Sequence, residues 1–181
     1  MTLRAFVGEV GVAGRLKYHK ACDPPVNAIV YWWRSVLSSG DLNCKSVTGT
    51  NYAMHRNCTW MGPVNSDAFG IVVGTGTTPP TVSDYSMETK ITHGTGAGQL
   101  SYAAEMVPTA PTTSGTKRYF EHQRQFTNNS GAQITVNEIG IIGRQFSAAY
   151  YFLICRDVLA SGVDVPNTKV LTVKYKVTIQ I

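Results

Sequence analysis

Residues 171–181 alternate without a break. Leu171, Val173, Tyr175, Val177, Ile179 and Ile181 fall on one side, and Thr172, Lys174, Lys176, Thr178 and Gln180 on the other. A period of two belongs to a strand with one apolar face. Such a strand needs neighbours in a sheet and a second layer over its apolar side. Because the alternation runs to the final residue, Ile181 is expected in the core or at an interface.

The same reading extends upstream. Leu100, Tyr102, Ala104 and Met106 alternate with Gln99, Ser101, Ala103 and Glu105, which predicts a strand. Residues 117–126 predict another, ending at the turn Asn128-Asn129-Ser130-Gly131. On it His122 and Arg124 share a face with Phe120 and Phe126, a polar pair suited to a sugar or an anion, or else to a solvated or interface-facing strand, while Glu121 points away. Ile134 and Val136 alternate, but the next apolar positions are Ile139 and Ile141. That slip at Asn137-Glu138 predicts a β-bulge, with Glu138 buried and accepting bonds from a turn. Residues 150–159 start apolar on both faces, as in a strand covered on both sides. Val165-Pro166-Asn167 forms the next turn.

Strands at this spacing with no intervening helices predict an antiparallel β-sandwich, jelly-roll or Greek-key-like, as a single domain over residues 25–181. Upstream of them, Phe69–Gly74 reads as a buried strand and residues 75–80 as a rigid loop. Ser83 or Asp84 is placed to cap one or two helical turns through Lys90.

The first third differs. Gly8, Gly11 and Gly14 interrupt any helix, so residues 1–24 read as an extended N-terminal arm with a short strand at residues 14–20. Ile29, Trp32, Trp33, Val36 and Leu37 then mark one face of a short amphipathic helix at 27–39, after Pro24-Pro25 and an Asn27 cap. Trp32 and Trp33 either pack on the sheet or anchor a neighbouring subunit.

Sixteen basic residues against eleven acidic ones give +5. Residues 1–60 carry seven Lys/Arg and three Asp/Glu, a net of +4, so the first third is the expected contact for an acidic partner. No basic run or aromatic-interleaved basic strand points to nucleic acid. No apolar stretch approaches the ~18–20 residues of a membrane helix, and no signal-peptide pattern opens the chain.

Enzyme constellations are missing from the sequence. There is no nucleophile elbow, no P-loop and no His-Glu-x-x-His, and the Gly-rich stretches at 74–76 and 94–98 read as loops. A glycosidase needs a second carboxylate beside Glu138, for which Asp157 and Glu105 are nominal candidates. Cys22, Cys44 and Cys58, with His55, admit three readings: free thiols, a Cys44–Cys58 disulfide, or a zinc site of atypical spacing. Cys155 reads as core packing. No cofactor-binding pattern is present.

Residues 70–88, Gly-Ile-Val-Val-Gly-Thr-Gly-Thr-Thr-Pro-Pro-Thr-Val-Ser-Asp-Tyr-Ser-Met-Glu, resemble a segment of small tailed-bacteriophage virion structural proteins. Those proteins run as an apolar strand, a Gly-Thr-Gly-Thr-Thr-x-Pro loop and a Ser-Asp-x-x-(Leu/Met)-Glu turn. Thr135-Val136-Asn137-Glu138-Ile139-Gly140, Ile154-Cys155-Arg156-Asp157-Val158 and Leu171–Val177 resemble further segments of that family, in the same order. The resemblance covers about residues 65–181. It implies a β-sandwich virion component (capsid decoration, neck or tail) with no catalytic residues.

The combined expectation is a non-enzymatic subunit that is located in a virion and works by assembling with copies of itself and other virion proteins. Interface candidates are Arg4, Phe6, Val7, Arg15, Lys17 and Tyr18 in the arm, Trp32 and Trp33 in the helix, and Tyr150, Tyr151 and Ile181 in the body. The alternative expectation is a receptor-binding or glycan-binding tail module using exposed aromatics, with a host glycan as partner.

Overall fold

The computed structural model describes residues 2–12, 15–22, 42–55, 57–115, 117–146 and 148–180. The expected helix at 27–39, with Trp32 and Trp33, and Ile181 lie outside the described residues, as do the side chains of residues 1–42.

Twelve strands are described: β1 (Thr2–Val12), β2 (Arg15–Cys22), β3 (Leu42–Lys45), β4 (Asn51–Met54), β5 (Cys58–Thr59), β6 (Gly70–Gly74), β7 (Ser101–Tyr102), β8 (Thr112–Ser114), β9 (Lys117–Thr127), β10 (Ile134–Gln145), β11 (Tyr151–Val165) and β12 (Val170–Gln180). No helix occurs among the described residues. The protein is mainly β, and its strands pair antiparallel. One sheet has the order β2-β1-β12-β9-β7, with β8 also on β9. A second has the order β11-β10-β5, with β6 also on β10, and β3-β4 is a separate ribbon.

The alternation of the last strand holds. Leu171, Val173 and Tyr175 of β12 are buried, opposite Phe126, Arg124 and His122 of β9. These same-face cross-strand pairs stabilise the pairing, because directly opposed side chains pack against one another. Two turns join in a knot around Asn128, which is fully buried. Its Nδ2 donates to the carbonyls of Ala132 and Val165, both at 2.7 Å, and its Oδ1 accepts from Ser130 N–H at 3.0 Å. The expected turns at 128–131 and 165–167 therefore share one side chain. Gly131 has φ 86°, the left-handed conformation such a turn requires.

Phe152 to Asp157 of β11 are all buried, as expected for a strand covered on both faces. The register between β10 and β11 shifts between Val136 and Glu138, at the expected irregularity. The pairs Val136↔Val163 and Glu138↔Val158 leave Leu159 to Gly162 opposite Asn137. The extra residues thus belong to β11, and β10 keeps regular pairing with β6 from Glu138 to Ile142. The apolar phase of β10 changes because β10 becomes covered on both faces there.

Two expectations are corrected. Residues 83–90 form turns and bends, not helical turns, because the Asp84 carboxylate bonds back to Thr81 and across to Arg156. Residues 99–106 do not alternate as a long strand. Only Ser101–Tyr102 is strand, Met106 is 58% exposed, and Glu105 is buried in its place.

Candidate functional site

Arg156 sits in β11 opposite Gly140 and reaches towards residues 78–88. A charged side chain in an otherwise apolar strand must find partners, because burying an unpaired charge is prohibitive. Its Nε donates to Glu138 Oε1, its Nη1 to Asp84 Oδ2 at 2.6 Å, and its Nη2 to Thr78 O at 3.0 Å and Glu88 Oε2 at 3.3 Å.

Glu138 is fully buried, and both of its carboxylate oxygens are hydrogen-bonded. Its Oε1 also accepts Glu88 N–H at 2.8 Å, and its Oε2 accepts Thr89 N–H at 3.2 Å. This is the buried glutamate accepting bonds from a turn that the sequence predicts. Glu88 in turn accepts from Thr78 N–H at 2.8 Å and Thr78 Oγ1 at 2.7 Å. Burial works against the charge on Arg156, but Glu138 and Asp84 outweigh it and hold the guanidinium above its usual range. Burial likewise opposes the Asp84 charge, and bonds from Thr81 and Arg156 outweigh it, so its carboxyl lies below the usual range. Bonds from Thr78, with Arg156 nearby, also lower Glu88.

The glycines of this loop have a steric reason. A Cβ on Gly74 would meet Glu138 Oε2 and stand 2.5 Å from Thr89 O, and one on Gly76 would stand 2.6 Å from Glu88 Cβ. They make room for the carboxylates around Arg156. The arrangement locks a loop onto a sheet, and a cavity of about 310 Å³ lined by Thr78, Ser83, Asp84, Tyr85, Glu88 and Arg156 lies over it.

A second buried cluster joins the two large sheets. Arg124 of β9 is fully buried and all of its donor nitrogens are used. Nε donates to Ala103 O at 2.8 Å, Nη1 to Phe69 O at 3.2 Å and Ile71 O at 2.9 Å, and Nη2 to Pro63 O at 2.7 Å and Ser66 O at 2.6 Å. Its guanidinium lies 4.8 Å from the Tyr102 ring centre, within cation–π range. Burial lowers its affinity for the proton, and Glu105 opposes that.

Glu105 Oε1 accepts from Ile71 N–H, and Glu105 Oε2 is 2.5 Å from His122 Nε2. The polar face of His122 and Arg124 is therefore neither solvated nor open to a sugar or anion. Its carboxylate comes from residue 105, not from the neighbouring Glu121.

A third set of bonds surrounds Asp67. Its carboxylate accepts from His93 N–H at 2.6 Å and Lys90 Nζ at 3.1 Å. These bonds outweigh the effect of burial and hold its carboxyl below the usual range. Lys90 and Asp67 border a cavity of about 340 Å³ lined also by Val47, Met87, Ile142 and Tyr151.

Of the interface candidates, Arg4, Phe6 and Val7 lie on β1, and Arg15, Lys17 and Tyr18 on β2; the register keeps the two groups at different ends of the pairing, with Phe6 and Val7 opposite Ala21 and Lys20, and Tyr18 and Arg15 opposite Val10 and Val12. Tyr150 and Tyr151 belong to the other sheet's region. Tyr150 is half-buried and stacked on Tyr52, with ring centres 3.8 Å apart. Tyr151, also half-buried, pairs with Arg144 and tilts against Phe69 at 6.2 Å.

Cys44, Cys58 and Cys155 are free thiols, and no group of three or more metal-ligating side chains occurs among the described residues. Cys58 Sγ donates to His55 O at 3.2 Å, and burial pushes its thiol up to about 11. Glu105 and Asp157, the nominal partners for a Glu138 carboxylate pair, are both buried, and Glu105 belongs to the Arg124 cluster.

The sequence offers Glu105 only as a partner for Glu138; its place beside His122 and Arg124 is not legible there, nor are Asp67 and the partners of Arg156. The available signal was Arg156-Asp157 itself, a charged pair inside a run that must be covered on both faces. Comparison with family models, with curated proteins and with solved structures returns no match.

Proposed function

We propose that this chain is a non-enzymatic structural subunit of a tailed-phage virion, acting by protein–protein assembly as a capsid decoration, neck or tail component. The observation that carries the reading is how the buried charges are used. Arg156, Glu138 and Arg124 are bonded to loops and carbonyls of the chain itself, which suits a part selected for rigidity. The family resemblance lies on this same framework: the Gly-Thr-Gly loop, the Glu138 strand and the Arg156-Asp157 segment are held by one guanidinium.

The proposed body is a β-sandwich with jelly-roll or Greek-key-like connections. Its support is that β9 and β12 are neighbours in one sheet, while β10 and β11, which lie between them in sequence, pair in the other. Arg124 bonds across from β9 to β6 of the second sheet. Partners are further copies of the chain and other virion proteins.

Mass spectrometry of purified particles of the phage encoding the chain tests this reading. Its peptides are expected at a fixed ratio to the major capsid protein, and their absence from the particles would overturn it.

A glycan-binding tail module is the second reading. The cavity beside Tyr151, with the Lys90–Asp67 pair at its border, favours it, since sugar sites combine an aromatic wall with a few polar groups. Binding on a glycan array that Tyr151→Ala abolishes would select it.

A further inference from the structure

The hairpin β1–β2 is hydrogen-bonded to the body through one strand edge, and both of its strands also lie near β11. β1 pairs with β12 from Thr2↔Gln180 to Val12↔Leu171, while β2 pairs only with β1 among the described residues. β12 is held independently on its other side by β9, from Val170↔Thr127 to Gln180↔Lys117. The body therefore contains a complete β12 whether or not the hairpin is present. Without a hairpin, β12 would show an open edge along its length, which is a template for any strand that fits.

The hairpin in turn cannot stand alone. Two-stranded hairpins are marginal in water, and this one carries Gly8 and Gly11 and register shifts at Gly8/Val10 and Val10/Gly11. Each copy thus offers one hairpin that needs a β12 and one β12 edge that needs a hairpin. The hydrogen bonds are the same whether both come from one chain or from two, which is the condition for exchange between protomers. Residues 23–41 join hairpin and body. Fully extended, these nineteen residues reach at most about 63–68 Å, which sets the upper limit on how far a hairpin and its own body can be apart.

We propose that in the assembled state the β1–β2 hairpin of each copy pairs with β12 of a neighbouring copy. This rests on the assembly reading above and specifies its contact: the partner is a second copy, and the docking surface is the outer edge of β12. A head-to-tail exchange of this kind closes a ring when the rotation permits.

The test uses the pair Arg4↔Thr178, which lies beyond the reach of β2 pairing. Opposed Cα atoms in an antiparallel pair are ~4.5–5.5 Å apart, within disulfide range. Chains carrying Arg4→Cys and chains carrying Thr178→Cys, both in a Cys22→Ser background, are co-expressed, purified as the oligomer and mildly oxidised. Exchange predicts a disulfide between the two kinds of chain, seen on a non-reducing gel and assigned by peptide mapping. The doubly substituted chain is the comparison. If it closes within itself in an oligomer and the mixed chains do not cross-link, exchange is overturned and assembly stands. If it closes within itself in a protein that sediments as a monomer, both are overturned. If neither sample cross-links, the β1–β12 pairing is removed, and the proposal with it.

Discussion

Arg124 and Ile71 meet across the two large sheets: the guanidinium Nη1 donates to the Ile71 carbonyl at 2.9 Å. Ile71 N–H is taken by Glu105 Oε1. In an antiparallel strand the N–H and C=O of one residue point to the same side, so both backbone groups of Ile71 face away from β10. A residue that would otherwise present an open edge is sealed by two charged side chains, Arg124 of β9 and Glu105 of the segment after β7. The bonds satisfy buried backbone groups and fix the two sheets relative to each other.

Arg124→Lys removes the planar fork that serves five carbonyls. A lysine ammonium has three donors and cannot reach all five, so buried carbonyls are orphaned at roughly 1–3 kcal/mol each. A loss of roughly 2–4 kcal/mol is expected in urea denaturation. An unchanged midpoint would show that the carbonyls find other partners.

Breaking the second cluster has a local signature. Arg156→Met leaves Glu138 buried without its cation, a change that costs about 3–5 kcal/mol, or on the order of 10 °C in Tm. Because the guanidinium also holds Thr78 and Asp84, the loop of residues 75–89 is expected to become protease-sensitive before the rest of the chain. Limited proteolysis with mass mapping checks the order of cleavage; uniform cleavage would contradict it.

Asp67 and Asp84 both have carboxyls held below the usual range, so the folded state binds fewer protons than the unfolded one in that interval. Their contribution is fully present above the ordinary aspartate value. It is lost as pH falls from there through the lowered folded values. Denaturant midpoints measured between neutral pH and the acid limit are expected to drop in that window. Asp84→Asn is expected to flatten the slope, and an unchanged slope would count against the Arg156 pairing.

Cys58 is expected to be a slow thiol. With burial holding it near 11, against an ordinary 9.0, its thiolate fraction at pH 8 is roughly 100-fold lower than that of a free cysteine. Timed alkylation with peptide mapping should show weak labelling at Cys58 that rises steeply towards pH 11. Rapid labelling at pH 8 would contradict the described environment.

Gly74→Ala tests the packing around Glu138. The added methyl would meet Glu138 Oε2 and the backbone of Thr89, neither of which can withdraw easily. A destabilisation of roughly 1–3 kcal/mol is expected, as for other overpacked sites.

Strand content was legible where one face is dry and the other wet. β12 and β9 alternate for that reason, and β11 read as doubly covered because Tyr150 to Cys155 leave no polar phase. Glu138 was legible as a buried acceptor because it interrupts an apolar strand. Residues 99–106 misled because Glu105 takes the buried position and Met106 the exposed one. What decides this is that Glu105 accepts the Ile71 N–H and sits against Arg124 and His122, residues that are distant from it in sequence. The expected helical turns at 83–90 failed for the same reason: the Asp84 cap was claimed by Arg156, a residue of β11.

The central claim is that this protein works as one part among copies of itself. Sedimentation equilibrium of the purified chain tests it most directly. The account predicts one discrete species at a multiple of the 19.7 kDa chain mass, persisting on dilution. A single species at 19.7 kDa across the whole accessible concentration range would contradict it.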